Sequence, residues 1–240
     1  MLHFTSDLDP RIHLAFTSQQ EGNLALHVND DPQRVAENRS RLEDSIGVRR
    51  FSLNFMNQVH SADVFNVQQV ERVSWLEPAS PTCDGLVDPT GTQALAVMVA
   101  DCLPVLFVGR SKEQEQTLTA ATHAGRRGLL DGILSRTVEQ LRISGADEIE
   151  ALIGPSICGS CYEVSPEMAE ESENLRAGIR SQTRWGTTGL NLPSSAEKEL
   201  VQLGVQVRQS NVCTLEDENY FSYRRSSDAG RLAGLIWSVD

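Results

Sequence analysis

Ala94–Leu95–Ala96–Val97–Met98–Val99–Ala100–Asp101–Cys102–Leu103–Pro104–Val105–Leu106–Phe107–Val108 is the stretch on which the fold turns. Its first seven residues are apolar without interruption and have strand length, the pattern of a β-strand covered on both faces. Residues 105–108 form a second apolar run. Pro104 has no N–H to offer a ladder, which predicts that the chain bends or leaves its sheet there. Downstream, residues 118–122 read as another strand. It ends in His123–Ala124–Gly125–Arg126–Arg127–Gly128 and enters a helix carrying Leu129, Leu130, Ile133, Leu134, Val138 and Leu141 on one side. Residues 149–153 are a strand leading into Gly154–Pro155. Upstream, Asp30–Asp31–Pro32 supplies an acidic cap and a first-turn proline, Val35, Leu42 and Ile46 recur at helical spacing, and Gly47 is the stop. Residues 51–55 and 64–70 read as strands flanking a turn with Asn57, Gln58 and His60. Helices are expected near 165–180 and 194–203, and strands near 205–208 and 232–237. Strands and helices mix without strict βαβ alternation, so the class is α/β or α+β with a mixed sheet. No linker, repeat or compositional break appears, so residues 1–240 are expected to form a single domain.

The chain has 240 residues, 40% hydrophobic and 22% charged, ordinary proportions for a soluble globule. A chain of this length builds a core without disulfide staples. Its formal charge of −12 repels a phosphate backbone, which argues against nucleic acid as a partner. Lys112 and Lys198 are the only lysines, so arginine is left with nearly all anion recognition. The start of the chain lacks the pattern of a signal peptide, and residues 94–100, the longest apolar run, cannot cross a bilayer. A cytoplasmic location, no membrane association and reduced thiols for the five cysteines are expected.

His60, Cys102 and His123 each follow or interrupt a buried-type strand, the place where α/β sheets gather reactive groups. Two imidazoles and a thiolate suit zinc, and a three-ligand set leaves a position open, as catalytic sites do. The same residue types also serve as a small buried hydrophobe and hydrogen-bonded imidazoles, and their spacing does not decide between these readings. Asp84, before Gly85, and Asp101 are the acids nearest the three; either would orient a histidine or act as a base, though Asp84–Gly85 also reads as a simple turn. The glycine-rich turn with Arg126 and Arg127 suits a phosphate, without the lysine or spacing of a Walker loop. Cys158–Gly159–Ser160–Cys161 has CxxC spacing but no second matching pair. Tyr220–Phe221–Ser222–Tyr223–Arg224–Arg225 sets rings beside guanidiniums, a surface on which a base can stack.

Taken in order, the following pieces carry a resemblance: Asn57–Gln58–Val59–His60, Asp84–Gly85–Leu86–Val87, Ala100–Asp101–Cys102–Leu103–Pro104 and His123–Ala124–Gly125 with Arg127–Gly128. To these are added Gly154–Pro155–Ser156–Ile157 with Cys161–Tyr162–Glu163–Val164, Cys213–Thr214, Phe221–Ser222–Tyr223–Arg224–Arg225 and Gly230–Arg231 with Ala233–Gly234. The set resembles the family known variously as multicopper polyphenol oxidase (laccase), purine nucleoside phosphorylase and peptidoglycan editing factor, over about residues 11–237. The resemblance implies a single α/β domain with β-sheets inside and helices outside, and a zinc held by His60, Cys102 and His123. It implies phosphorolysis of adenosine, inosine and methylthioadenosine, adenosine deamination, and a copper-dependent phenol oxidase activity in some members. On this reading Cys102, His123, Asp84 and Asp101 are catalytic, and Arg126, Arg127, Arg225 and Tyr223 bind a purine nucleoside and phosphate. Five histidines, with His3, His13 and His27 outside the matched pieces, cannot furnish several copper centres, so copper ranks below zinc. Without metal, Cys102 as nucleophile and His123 as base make a thiol hydrolase or amidase for a cell-wall precursor the alternative. A third reading is a protein that binds a nucleotide without turning it over. Two positions depart from the family pattern: Arg126 stands in a tryptophan place and Gln19 in an arginine place.

Overall fold

The structure is a computed structural model that describes residues 1–67, 74–76 and 80–239. Two β-sheets lie face to face. The first is antiparallel and is built from β1 (Leu2–Thr5), β2 (Ile12–Phe16), β5 (Leu95–Val99) and β12 (Leu232–Ser238), in the order β1-β2-β12-β5. The second is mixed and contains β3 (Val64–Asn66), β4 (Gly85–Asp88), β6 (Leu103–Ser111), β7 (Gln116–Ala124), β8 (Glu148–Ile153) and β11 (Gln206–Gln209), in the order β11-β8-β6-β7-β4-β3. Its outer pairs β11·β8 and β3·β4 are parallel, and the pairs between them are antiparallel. A two-stranded ribbon joins β9 (Arg180–Gln182) and β10 (Thr188–Leu190).

Strand alternation explains the layering. From β5, Leu95, Val97 and Val99 point into the apolar layer between the sheets, where they meet Leu106 and Val108 of β6 and Ile236 of β12. Ala96 and Met98 point the other way, toward the layer holding Leu42 of α1 (Pro32–Ile46) and Trp237. On β6, Val105 and Phe107 face the layer that holds Leu134, Val138 and Leu141 of α3 (Ile133–Ile143) and Leu200 of α5 (Leu192–Gln202). Helix, sheet, sheet, helix is therefore the order of layers, with mixed sheets inside and helices outside. The uninterrupted apolar run of residues 94–100 is a strand buried on both faces. No helix among the described residues is long and apolar enough to cross a membrane.

Helix α1 begins with the Asp31 carboxylate accepting Gln33 N–H at 2.9 Å and ends at Gly47 with φ +73°. The structure corrects five local expectations. Residues 51–55 make only one bridge, Asn54 to Leu95, rather than a strand. The expected strand 64–70 is β3 at its start, while residues 68–70 lie outside the described residues. The helix after Gly125 breaks at Gly132 (φ +88°) into α2 (Arg126–Leu130) and α3. Pro104 lies within β6 opposite His123, and the change of sheet comes earlier, at Asp101 with φ +88°. A proline at the second position of a strand leaves most of the ladder intact. Helix α4 (Pro166–Leu175) is shorter than the 165–180 expected.

Asp9 ties the connection between β1 and β2 to the opposite sheet. Its buried carboxylate accepts Thr117 Oγ1 at 2.6 Å and Arg11 Nε and Nη2 at 3.0 and 2.8 Å. The Arg11 hydrogen bond, against burial and with help from Thr117, holds this carboxyl far below the ordinary carboxylate range. A depressed folded-state pKa contributes stability that is present above the unfolded value, about 3.9, and is lost as pH falls below it. Arg11 is 66% exposed, so solvent screens much of that pair. Asp9→Asn is expected to cost about 1 kcal/mol at neutral pH. The gap from wild type should shrink in denaturant titrations near pH 3; an equal gap at both pH values contradicts the assignment.

Candidate metal centre and cleft

The centre starts from a buried acid. Asp84, just ahead of β4 and fully buried, accepts the backbone N–H groups of Val59, His60 and Ser61 at 3.1, 3.0 and 2.7 Å and Ser61 Oγ at 2.9 Å. His60 has φ +61°, a left-handed conformation within a run of three N–H groups that converge on the carboxylate as an anion-binding nest. Asp84 Oδ1 also lies 2.7 Å from Nδ1 of His123, near the end of β7. One carboxylate thus sets both the turn that carries His60 and the ring of His123. With Nδ1 taken, Nε2 is the nitrogen His123 has left for a ligand.

Cys102 arrives from the crossover between β5 and β6. Its Sγ lies 3.8 Å from His60 Nε2, and the His60 and His123 ring centres are 4.7 Å apart at 78°. The ligand atoms of His60, Cys102 and His123 all lie within 4.8 Å of one another. Around zinc, with bonds of about 2.0–2.3 Å, such atoms sit about 3.3–3.6 Å apart, so the set needs only a small closure. Gly125 is required here: a Cβ on it would reach 2.7 Å from His60 Cδ2 and 3.1 Å from Cys102 Sγ. Burial alone would push the Cys102 thiol up, but the charge and hydrogen bond of His123, with His60, outweigh it and bring the thiol to about 6. Burial would push His123 down; the Cys102 charge and the Asp84 hydrogen bond raise it to about 9 instead. Asp84 falls to about 2 because His123 and the Ser61 N–H outweigh its burial.

A cleft of about 220 Å³ opens onto the three residues, lined also by His27, Gln58, Met98, Tyr223 and Arg231. This lies below the usual range for drug-sized ligands, about 300–1,000 Å³, and takes part of a small molecule. Burial pushes the His27 imidazole down, helped by Arg231 and Arg39, so its ring is neutral near pH 7. Arg231 is itself half-buried, and burial pushes its guanidinium down against the opposing charges of Cys102 and Asp101.

The other expected site residues are spread around this cleft. Asp101 is buried with both oxygens engaged, Oδ1 by Thr214 Oγ1 and Oδ2 by Arg224 N–H, each at 2.7 Å. Arg225 directs its guanidinium at the backbone carbonyls of Thr214, Leu215 and Tyr220. Arg126 bonds Ser172 Oγ at 3.2 Å. Arg127 is exposed and lines a second groove with His60, Asp63, Asp131 and Arg136. Gln19, in the arginine place, donates to the carbonyls of Glu218 and Tyr220, both at 3.0 Å. Sequence reasoning did not nominate His27, Gln58 or Arg231 for the site. Gln58 and Arg231 stand inside motifs it quoted; His27 carries no local signal.

Residues 15–239 match the family described as multi-copper polyphenol oxidoreductase laccase. The chain belongs to this family. Among its relatives, a purine nucleoside phosphorylase of Corynebacterium glutamicum is 38% identical, over 96% of this chain and 97% of that protein. A purine nucleoside phosphorylase of Streptomyces coelicolor is 40% identical over 91% of this chain and 88% of its own length. Among solved structures, YlmD of Geobacillus stearothermophilus aligns with a TM-score of 0.83 at 28% identity, covering 98% of this chain and 94% of that one. A Neisseria meningitidis protein aligns at 0.80 and 30% identity over the whole of both chains. The family's description names copper. Two imidazoles and a thiolate are also a blue-copper donor set, but the nearby thioether, Met98 Sδ, faces the Arg39 guanidinium at 3.9 Å. His3 and His13 pair with each other at 3.0 Å beside Trp237, on another part of the fold. His60, Cys102 and His123 fit one ion, and among the described residues no further imidazole joins that ligand group to make a multi-copper centre.

Proposed function

We propose that this protein is a metal-dependent purine nucleoside phosphorylase acting on inosine, adenosine and methylthioadenosine, with adenosine deamination in the same cleft. The observation that carries this is the convergence of His60, Cys102 and His123, with His123 held by Asp84, at the floor of a small cleft edged by Tyr223 and Arg231. Relatives named for nucleoside phosphorolysis support an enzyme with a small-molecule substrate. His60, Cys102 and His123 would hold zinc, which when bound supplies a Lewis acid. Asp84 holds His123 and the His60 turn in place. Asp101 acts one step back, joining the Cys102 crossover to Thr214 and Arg224. Arg231 in the cleft attracts phosphate, and Arg126 and Arg127, on the turn after Gly125, add positive charge outside it; Arg225, directed at the backbone, braces the loop behind. Tyr223 stacks on the base, and neutral His27 hydrogen-bonds it. In phosphorolysis a phosphate oxygen bonds to C1′ as the glycosidic bond breaks and the base leaves. In deamination water replaces the C6 amino group and ammonia leaves. We read residues 1–240 as one domain working in the cytoplasm, where its thiols stay reduced.

Incubation with inosine and phosphate is expected to yield hypoxanthine and ribose 1-phosphate; no product from inosine or adenosine, with metal loaded, overturns the reading. Arg231→Ala is expected to lower kcat/KM for phosphate about tenfold to a hundredfold, the value of a charge-assisted hydrogen bond, with metal content unchanged. An unaltered dependence on phosphate concentration removes Arg231 from the role.

The series Cys102, His123, Asp84 also supports a second reading, a thiol hydrolase or amidase working without metal. Iodoacetamide separates the two. A zinc-held thiolate is expected to label only after a chelator is added, whereas a catalytic thiol labels at once.

A further inference from the structure

The CxxC segment finds its partners far along the chain. Cys158, Cys161, Cys213 and Glu216 bring three sulfurs and a carboxylate oxygen within 4.8 Å of one another, apart from the cleft centre. We propose that these four residues form a second, structural zinc site.

The local backbone is built for it. Cys161 N–H and Tyr162 N–H both donate to the Cys158 carbonyl at 3.0 Å, a tight turn that turns both cysteine side chains toward Cys213. The Cys158 N–H points at Cys213 Sγ, 3.4 Å away, the kind of outer contact that steadies a metal-bound thiolate. The two strands of chain are laced together: Ser156 N–H donates to the Val212 carbonyl and Thr214 N–H to the Ser156 carbonyl, each at 3.1 Å. Arg184 holds Glu216 Oε1 at 2.6 Å and orients that carboxylate. Cys161 and Cys213 are buried with Ile157 in a small apolar cluster of their own, away from the main core layers.

The chemistry of the set selects the ion. Three sulfur donors exclude magnesium and calcium, which take oxygen, and four donors with no open position match structural rather than catalytic zinc. Sulfurs on tetrahedral zinc stand about 3.8 Å apart, so the cluster closes by about 1 Å on binding, and the three thiols release their protons to solvent. A groove of about 290 Å³ lined by Cys158, Gly159, Ser160 and Cys213 gives the ion an entry path. The consequence reaches the cleft. Asp101, next to Cys102, accepts Thr214 Oγ1 through its carboxylate and Ile157 N–H through its carbonyl, so the loops this zinc clamps hold the Cys102 crossover from behind.

The test counts zinc, copper and iron per chain by mass spectrometry on the full-length protein. Cys213→Ser is expected to lose about one zinc relative to wild type, and Cys102→Ser to lose a different one. A Cys213→Ser content equal to wild type overturns the site, as does a second ion that is copper or iron, or a disulfide within the cluster in the intact mass. Loss on Cys213→Ser without loss on Cys102→Ser supports this site and counts against the cleft centre, so the two fail separately. Cys213→Ser also alters a buried position, so a second measurement leaves the cluster intact. Co²⁺ titrated into metal-stripped Cys102→Ser protein is expected to give thiolate-to-cobalt charge-transfer absorption saturating at about one equivalent; no such absorption overturns the proposal.

Discussion

Cys102→Ser is expected to abolish binding of the cleft ion and to lower kcat/KM for inosine phosphorolysis about a thousandfold. The sulfur is one of three donors within 4.8 Å of one another, and a serine hydroxyl is both shorter and far less readily deprotonated. A Lewis acid contributes several kcal/mol of transition-state stabilisation, and each 1.36 kcal/mol is a factor of ten. Metal analysis and a coupled assay on the same preparation check this. Full activity after loss of the ion moves the chemistry elsewhere. Activity lost with the ion retained assigns Cys102 a nucleophilic role.

The second large effect falls on stability. Asp84 is fully buried and accepts five hydrogen bonds, from three consecutive N–H groups, one hydroxyl and His123. Asp84→Asn keeps the shape but puts an NH₂ group where only acceptors fit, so at least one buried donor loses its partner. A cost of about 3 kcal/mol is expected, which for a chain of this size is a fall in Tm of about 6–12 °C. The variant should also bind its ion more weakly, because the His60 turn and the His123 ring both lose their anchor. A Tm within about 2 °C of wild type contradicts this account.

The two effects differ in how far residues alone announce them. Cys102 was legible because it interrupts an apolar run, and His123 because it ends one before a glycine turn. Both positions follow from strand chemistry, and a strand end is where a polar side chain can leave the core. Asp84–Gly85 looked equally like a turn, since nothing within a few residues shows that the N–H groups of residues 59–61 will close around its carboxylate. Arg225 and Arg231 show the same limit. Both sit in motifs with glycine or aromatic neighbours and both guanidiniums donate to backbone carbonyls, yet only Arg231 also lines the cleft. The CxxC pair lacked a matching pair in sequence because its partners, Cys213 and Glu216, are separated from it by more than fifty residues and by two helices.

Patterning by itself determined the buried strands and the mixed α/β class of this protein. Apolar runs without alternation require strands covered on both faces, and the caps at Asp31 and Gly47 follow from local backbone chemistry; that helices lie outside the sheets was implied by the resemblance, and the pairing of two sheets face to face belongs to the fold. Only the tertiary structure decided which side chains share a site. Hydrogen bonds accepted by Asp84 and Asp101 reach across 23 to 123 residues, and short-range propensity carries no information about contacts closed at that separation.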